Sequence, residues 1–173
     1  MNSKNPLPIP CTAEDQPRPD SRKIILRENH LGTAVFASEE ISAGEFIAGF
    51  YGQVYHAPKA SQLPPAVRNH AIQFAANAWR DAIPGGLARN INHSCHPNCG
   101  LAGHFAIISL RPIQAGEELF FDYAMTENCD WVVPGNQCLC GTENCRGTIL
   151  PFRKLPAEVK NRYQNHVSDW LKK

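Results

Sequence analysis

No stretch of this chain stays apolar for the roughly 18 residues that a membrane-spanning helix needs. Met1 to Asp20 is polar and proline-rich, without the hydrophobic centre of a secretion signal. The chain is therefore expected to be soluble and intracellular, with no membrane partner; the choice between nucleus and cytoplasm stays open. A dominant charge sign is missing too. Seventeen Lys and Arg against 16 Asp and Glu leave a formal net charge of +1, which excludes a protein driven onto nucleic acid by a broad phosphate-binding surface. Low-complexity segments and repeats longer than a turn are also lacking. With 173 residues there is room for one compact domain and little for a second.

Hydrophobic residues make up 43% and charged residues 19%, ordinary values for a folded soluble chain and too apolar for a disordered one. Charge is zoned within this balance. Residues 21–152 carry 9 basic and 11 acidic side chains, whereas residues 153–173 carry 6 and 2. A mildly acidic body would suit a basic peptide, although a merely solvated surface would read the same way. The seven cysteines are an odd number for a disulfide framework, and all but Cys11 fall between Cys95 and Cys145. In a chain without a signal segment, that clustering favours metal over disulfides.

Five prolines between Pro6 and Pro19 predict an extended, flexible arm over residues 1–20, since each lacks an N–H and disfavours helix at the residue before it. Beyond Arg22 the pattern changes to short apolar runs bounded by turn residues. Lys23–Leu26, Thr33–Ala37, Glu45–Phe50, His70–Phe74, His104–Ser109 and Glu118–Phe121 read as strands. Ser42-Ala43-Gly44 and Gln114-Ala115-Gly116 read as tight turns of like chemistry, each leading into a strand. Pro58–Val67 has room for one or two short helical turns. Pro156–Leu171 predicts a longer helix, because Leu155, Val159, Tyr163, Val167 and Leu171 fall four apart on one stripe.

Three segments carry chemistry. The first is Arg89-Asn-Ile-Asn92-His93-Ser94-Cys95-His96-Pro97-Asn98-Cys99, whose Asn, His and Ser could each be turn or capping residues taken alone. The second, Gly116 to Tyr123, is an apolar strand ending in Asp122-Tyr123. The third is Cys138-Leu-Cys140-Gly-Thr-Glu-Asn-Cys145-Arg146-Gly147. Its C-x-C-x4-C spacing can wrap a tetrahedral zinc, but it supplies three ligands where a closed structural site takes four.

Asparagine-histidine-serine-cysteine, then a strand ending Phe-Asp-Tyr, then C-x-C-x4-C-R-G, is an order that resembles SET-domain protein-lysine methyltransferases with a post-SET cap. The likeness runs from about Arg22 to Leu150. Leu31 to Ala37 and Glu45 to Gly52 resemble the family's opening strands, with Ala34 where a second glycine is usual and Phe50 where a tyrosine often stands. The resemblance implies a mainly β fold, the β-clip or SET fold: small curved β-sheets with a pseudoknot, short helices, a zinc-bound post-SET cap and a C-terminal helix. The segment ending at Tyr123 would thread beneath the loop of Asn92 to Cys95, one of the rare exceptions to unthreaded topology. It divides the chain into the arm at 1–20, a SET domain at 21–124, the cap at 125–150 and a C-terminal helix within 151–173.

The resemblance also assigns roles. Tyr123 is the expected catalytic residue. S-adenosylmethionine is expected against Leu31, Gly32, Thr33, Asn92, His93 and Leu139, and the lysine channel between Phe50, Phe121 and Tyr123. Cys95 joins Cys138, Cys140 and Cys145 around one structural zinc, leaving Cys11, Cys99 and Cys129 without an assigned role. The implied activity is S-adenosylmethionine-dependent methylation of a lysine ε-amine in a protein or peptide, a histone tail or another lysine-bearing protein. The alternative is a catalytically silent SET module that binds a peptide or scaffolds a complex. In the family, a tyrosine at the position of Phe121 tends to hold a water beside the amine and to favour monomethylation. Phe121 and Phe50 lack that hydroxyl, so di- or trimethylation is expected.

Overall fold

A computed structural model describes residues 13–29, 32–130 and 136–172. Cys11, Leu31 and residues 1–12 of the expected arm lie outside the described residues. Among the described residues, ten short strands form four small sheets. β1 (Ile24–Asn29) and β2 (Gly32–Ala37) make an antiparallel hairpin. β3 (Phe46–Gly49) pairs with β9 (Ala106–Ser109), which pairs in turn with β8 (Cys99–Ala102). β4 (Val54–His56), β6 (Ala78–Arg80) and β5 (Ile72–Ala75) form a third antiparallel sheet. The fourth is a parallel two-residue pairing of β7 (Asn92–His93) with β10 (Phe120–Phe121). The mainly β expectation holds. No helix among the described residues is long and apolar enough to cross a membrane.

The core lies between these sheets, with Val35, Ile41, Ile47, Ile107, Ile113 and Leu119 all without exposed surface. The isoleucines that precede the two exposed turns of like chemistry meet within it. Ile41 and Ile113 exchange backbone hydrogen bonds at 3.0 and 2.9 Å. Each turn is closed identically: Ser42 N–H donates to Glu45 Oε2 at 3.0 Å, and Gln114 N–H to Glu117 Oε2 at 2.6 Å. Gly44 and Gly116 take the left-handed φ of 77° and 88° that such turns require.

Only two α-helical segments occur among the described residues, α1 (Pro65–Arg68) and α2 (Ala157–Tyr163). The expected C-terminal helix is thus present but much shorter than Pro156–Leu171. The chain leaves it at Gln164, with φ 47°, because the following backbone finds better partners. Leu101 N–H donates to His166 O at 3.0 Å, Ser168 N–H to Met125 O at 2.8 Å and Asp169 N–H to Gly103 O at 3.1 Å. Gly100 permits this approach, since a Cβ there would stand 2.9 Å from His166 Cβ. All five stripe residues are nevertheless buried. Spacing identified what faces inward without fixing the conformation that puts it there.

The described part of the N-terminal segment is tied down rather than loose. Buried Asp15 accepts from His104 N–H at 2.7 Å and lies 3.1 Å from His104 Nδ1, while Asp20 accepts from Leu87 N–H at 2.7 Å.

Candidate active site and cysteine cluster

The site forms where β10 crosses the loop from Asn92 to Asn98. The loop grips the strand from both sides: Asn98 donates to Glu118 O at 2.8 Å and accepts from Phe120 N–H at 2.8 Å, and Ser94 N–H donates to Phe121 O at 3.2 Å. Tyr123 N–H then donates to His93 Nδ1 at 3.3 Å. The two segments expected to cross are therefore locked in register. Asn92 donates to Glu118 Oε1 at 3.0 Å, and Asn29, at the end of β1, donates to Glu118 Oε2 at 2.8 Å. Glu118 thus links the hairpin that carries Gly32 and Thr33 to the loop that carries Asn92 and His93.

Burial depresses the His93 pKa to about 4, the Asp122 charge opposing that shift and the Arg146 charge adding to it. His93 is consequently neutral at pH 7. Its Nδ1 can accept the Tyr123 N–H, while Nε2 sits 3.6 Å from Cys95 Sγ.

Phe50, Phe121 and Tyr123 come together on one pocket that is partly open to solvent, with about 360 Å³ of empty space when that solvent is included. Phe121 stands 5.0 Å from Tyr123 and 6.4 Å from Phe50 between ring centroids. Ile72, Ala88 and Ile91 add to the apolar wall, and Thr126 and Glu127 to its polar side. The Tyr123 hydroxyl donates to Ile91 O at 3.3 Å. Burial raises its pKa to about 12, offset in part by a hydrogen bond from the His93 backbone, so the phenol stays protonated at neutral pH. Glu127, almost wholly buried, accepts from Gln73 N–H at 2.7 Å. Burial raises its pKa to about 8 against the pull of those bonds.

Beside the crossing, the sulfurs of Cys95, Cys138, Cys140 and Cys145 all lie within 4.8 Å of one another. Four thiolates about 2.3 Å from a tetrahedral zinc would stand about 3.8 Å apart, and Cys95 and Cys138 are 3.6 Å apart. Arg146 N–H points at Cys95 Sγ and Gly147 N–H at Cys145 Sγ, each at 3.4 Å, so two of the sulfurs have backbone partners around the cluster. The donor set and its surroundings fit a closed structural metal site. Cys99 takes no part: it is fully buried, burial raises its pKa to about 12, and it donates to Asn98 Oδ1 at 3.3 Å.

Gly32, Thr33, Asn92 and His93 occupy linked elements, and the three aromatic residues share one pocket. Leu139 stands between two of the clustered cysteines and is 60% exposed, which is unusual for a leucine. Sequence reasoning missed Glu118, Asp122, Glu127, Arg146 and Tyr163. Asp122 and Arg146 lie inside motifs already singled out, and Tyr163 is the one hydroxyl on an apolar stripe. Only the fold shows that these three meet.

A family model described as "SET domain" matches residues 32–124. The chain belongs to the SET domain family. Among its relatives, the histone-lysine N-methyltransferase ASHR3 of Arabidopsis thaliana is 28% identical over 162 residues, covering 85% of this chain and 32% of that protein. The histone-lysine N-methyltransferase Su(var)3-9 of Drosophila melanogaster is 30% identical over 152 residues, 70% of this chain and 24% of that one. The histone-lysine N-methyltransferase ASHH1 of Arabidopsis thaliana is 34% identical over 136 residues, 68% of this chain and 26% of that one. The chain thus spans 24% to 32% of the length of these relatives.

Proposed function

We propose that this chain is an S-adenosylmethionine-dependent protein-lysine N-methyltransferase, with a histone tail as the first substrate to test. The reading is carried by one observation: Phe50, Phe121 and Tyr123 share a pocket directly beside the Asn92–His93 crossing in a chain of this family. When bound, S-adenosylmethionine supplies an electrophilic methyl group on a sulfonium. Gly32, Thr33, Asn92 and His93 would hold it, with Leu139 closing over it. Glu118 keeps Asn92 oriented for that task.

The pocket's main work is on the lysine. With a pKa near 10.4, presenting the amine neutral at about pH 7.4 costs on the order of 4 kcal/mol. Phe50, Ile72, Ile91 and Phe121 would replace part of the ammonium's water with apolar surface, which lowers its pKa and reduces that cost. A protonated Tyr123 hydroxyl is a poor base, so its role is to orient the amine and stabilise charge in the transition state. The four cysteines would hold zinc as a structural ion, since four thiolates leave no coordination position for reaction.

Methyl transfer from labelled cofactor to a panel of histone and non-histone lysine peptides tests this reading. Label on lysine, lost when the peptide lysine is replaced by arginine, is the expected result. Cofactor binding by calorimetry without transfer to any peptide would instead mark a silent, peptide-binding SET module.

A further inference from the structure

The side chain next to Tyr123 joins three separated parts of the molecule. Asp122 has no exposed surface. Its Oδ1 accepts from Ala124 N–H at 3.0 Å and lies 3.5 Å from His93 Nδ1. Its Oδ2 accepts from Arg146 Nη2 at 2.7 Å and from the Tyr163 hydroxyl at 2.5 Å. Arg146 follows the last clustered cysteine, and Tyr163 is the final residue of α2.

Tyr163 is 2% exposed, on a stripe otherwise made of Leu155, Val159, Val167 and Leu171. Phenylalanine would fill such a place as well; a hydroxyl there is favourable only because it has a partner. Burial, with the Asp122 charge beside it, raises the phenol pKa, so the group remains a donor. Arg146 Nε is buried without a hydrogen-bond partner, which leaves the guanidinium dependent on its tie to Asp122. Charge-assisted bonds of this length are strong and directional.

We propose that Tyr163 is a positioning residue. Its hydroxyl fixes the Asp122 carboxylate so that one oxygen holds the cap through Arg146 while the other holds the turn that carries Tyr123. The C-terminal helix is then part of the frame of the reaction site and not merely a cover on the core. The kinetic part of this proposal rests on the methyltransferase reading; the structural part does not.

Tyr163→Phe removes only the hydroxyl. In that variant, trypsin should cut after Arg146 about tenfold faster than in the wild type. Cleavage after Arg27, on β1, should change less than twofold. Turnover should fall about tenfold with the peptide KM within twofold. Val159→Ala removes packing from the same helix but keeps the hydroxyl, and should lower thermal stability without changing Arg146 cleavage or turnover. Wild-type cleavage after Arg146 in Tyr163→Phe, or an equal effect of Val159→Ala, overturns the proposal. Should Tyr163→Phe not fold, Asp122→Asn is read the same way: faster cleavage after Arg146 supports the junction and an unchanged rate overturns it. A wild-type protein that transfers no methyl group would refute the methyltransferase reading, while the cleavage ratio still decides the role of Tyr163.

Discussion

The body and the cap of this protein are held together by different means. From Ile24 to Ser109 the backbone bonds to itself in small sheets, and the core between them is filled with fully buried isoleucine, valine and leucine. From Asn136 to Leu150 the ladder shrinks to an isolated bridge between Gln137 and Thr148. There the ties are local: four clustered sulfurs that would hold the chain once they share a metal, Ile149 packed against those cysteines, and the Arg146–Asp122 pair. A body stabilised by distributed burial can lose one contact and remain folded. A cap fixed by points cannot lose a point and remain closed.

The largest effect that separates the two is expected from Cys140→Ser. It should abolish metal binding at the cluster and lower methyl transfer by at least about a hundredfold, while the body still unfolds cooperatively, as read by metal content, turnover and thermal denaturation. Coincident loss of the body's transition would show that the two regions are one unit. In the pocket, Tyr123→Phe should lose at least about a hundredfold in turnover with cofactor affinity little changed by calorimetry, because the proposed role of the hydroxyl is in the transition state. Near-normal turnover would remove Tyr123 from the chemistry.

Glu127, buried on the polar side of the pocket, should give the stability of the fold a pH dependence. Its folded pKa of about 8 exceeds its ordinary 4.5. Between these values the folded state keeps a proton that the unfolded chain has released, so stability is full below about 4.5 and declines as pH rises through about 8. The decline should reach on the order of a few kcal/mol in denaturant titrations, and Glu127→Gln should flatten it. An identical slope in the variant would assign the effect elsewhere. Phe121→Tyr should leave turnover within about tenfold but shift the product towards monomethyl-lysine, since its hydroxyl can anchor a water that the apolar wall now excludes. Mass spectrometry showing wild-type product stopped at one methyl group would contradict the premise. The smallest effect is expected for Cys99→Ser, which should keep metal and activity and cost about 1 kcal/mol of stability by chemical denaturation.

Legibility in the sequence followed the same divide. Strands with several apolar residues, such as Thr33–Ala37 and Glu45–Phe50, stood out because their pattern extends over enough residues. β4 and β6 are three residues long, and β7 only two, too short for any periodicity to register. The five-residue stripe from Leu155 to Leu171 named the right buried residues, yet the chain abandons the helix at Gln164 for hydrogen bonds to Leu101 and Gly103 that no local pattern encodes. The expected pocket and cysteine residues were readable because the SET motifs carry them in order. Asp122, Arg146 and Tyr163 were individually visible, but their meeting depends on long-range packing.

Elemental analysis of protein purified without chelator tests the claim of a metal-fixed cap most directly. The account predicts one zinc per chain, lost in full when Cys95, Cys138, Cys140 or Cys145 is replaced by serine and retained in Cys99→Ser. Wild-type protein free of zinc, yet with the four thiols intact and the cap resistant to proteolysis, would contradict it.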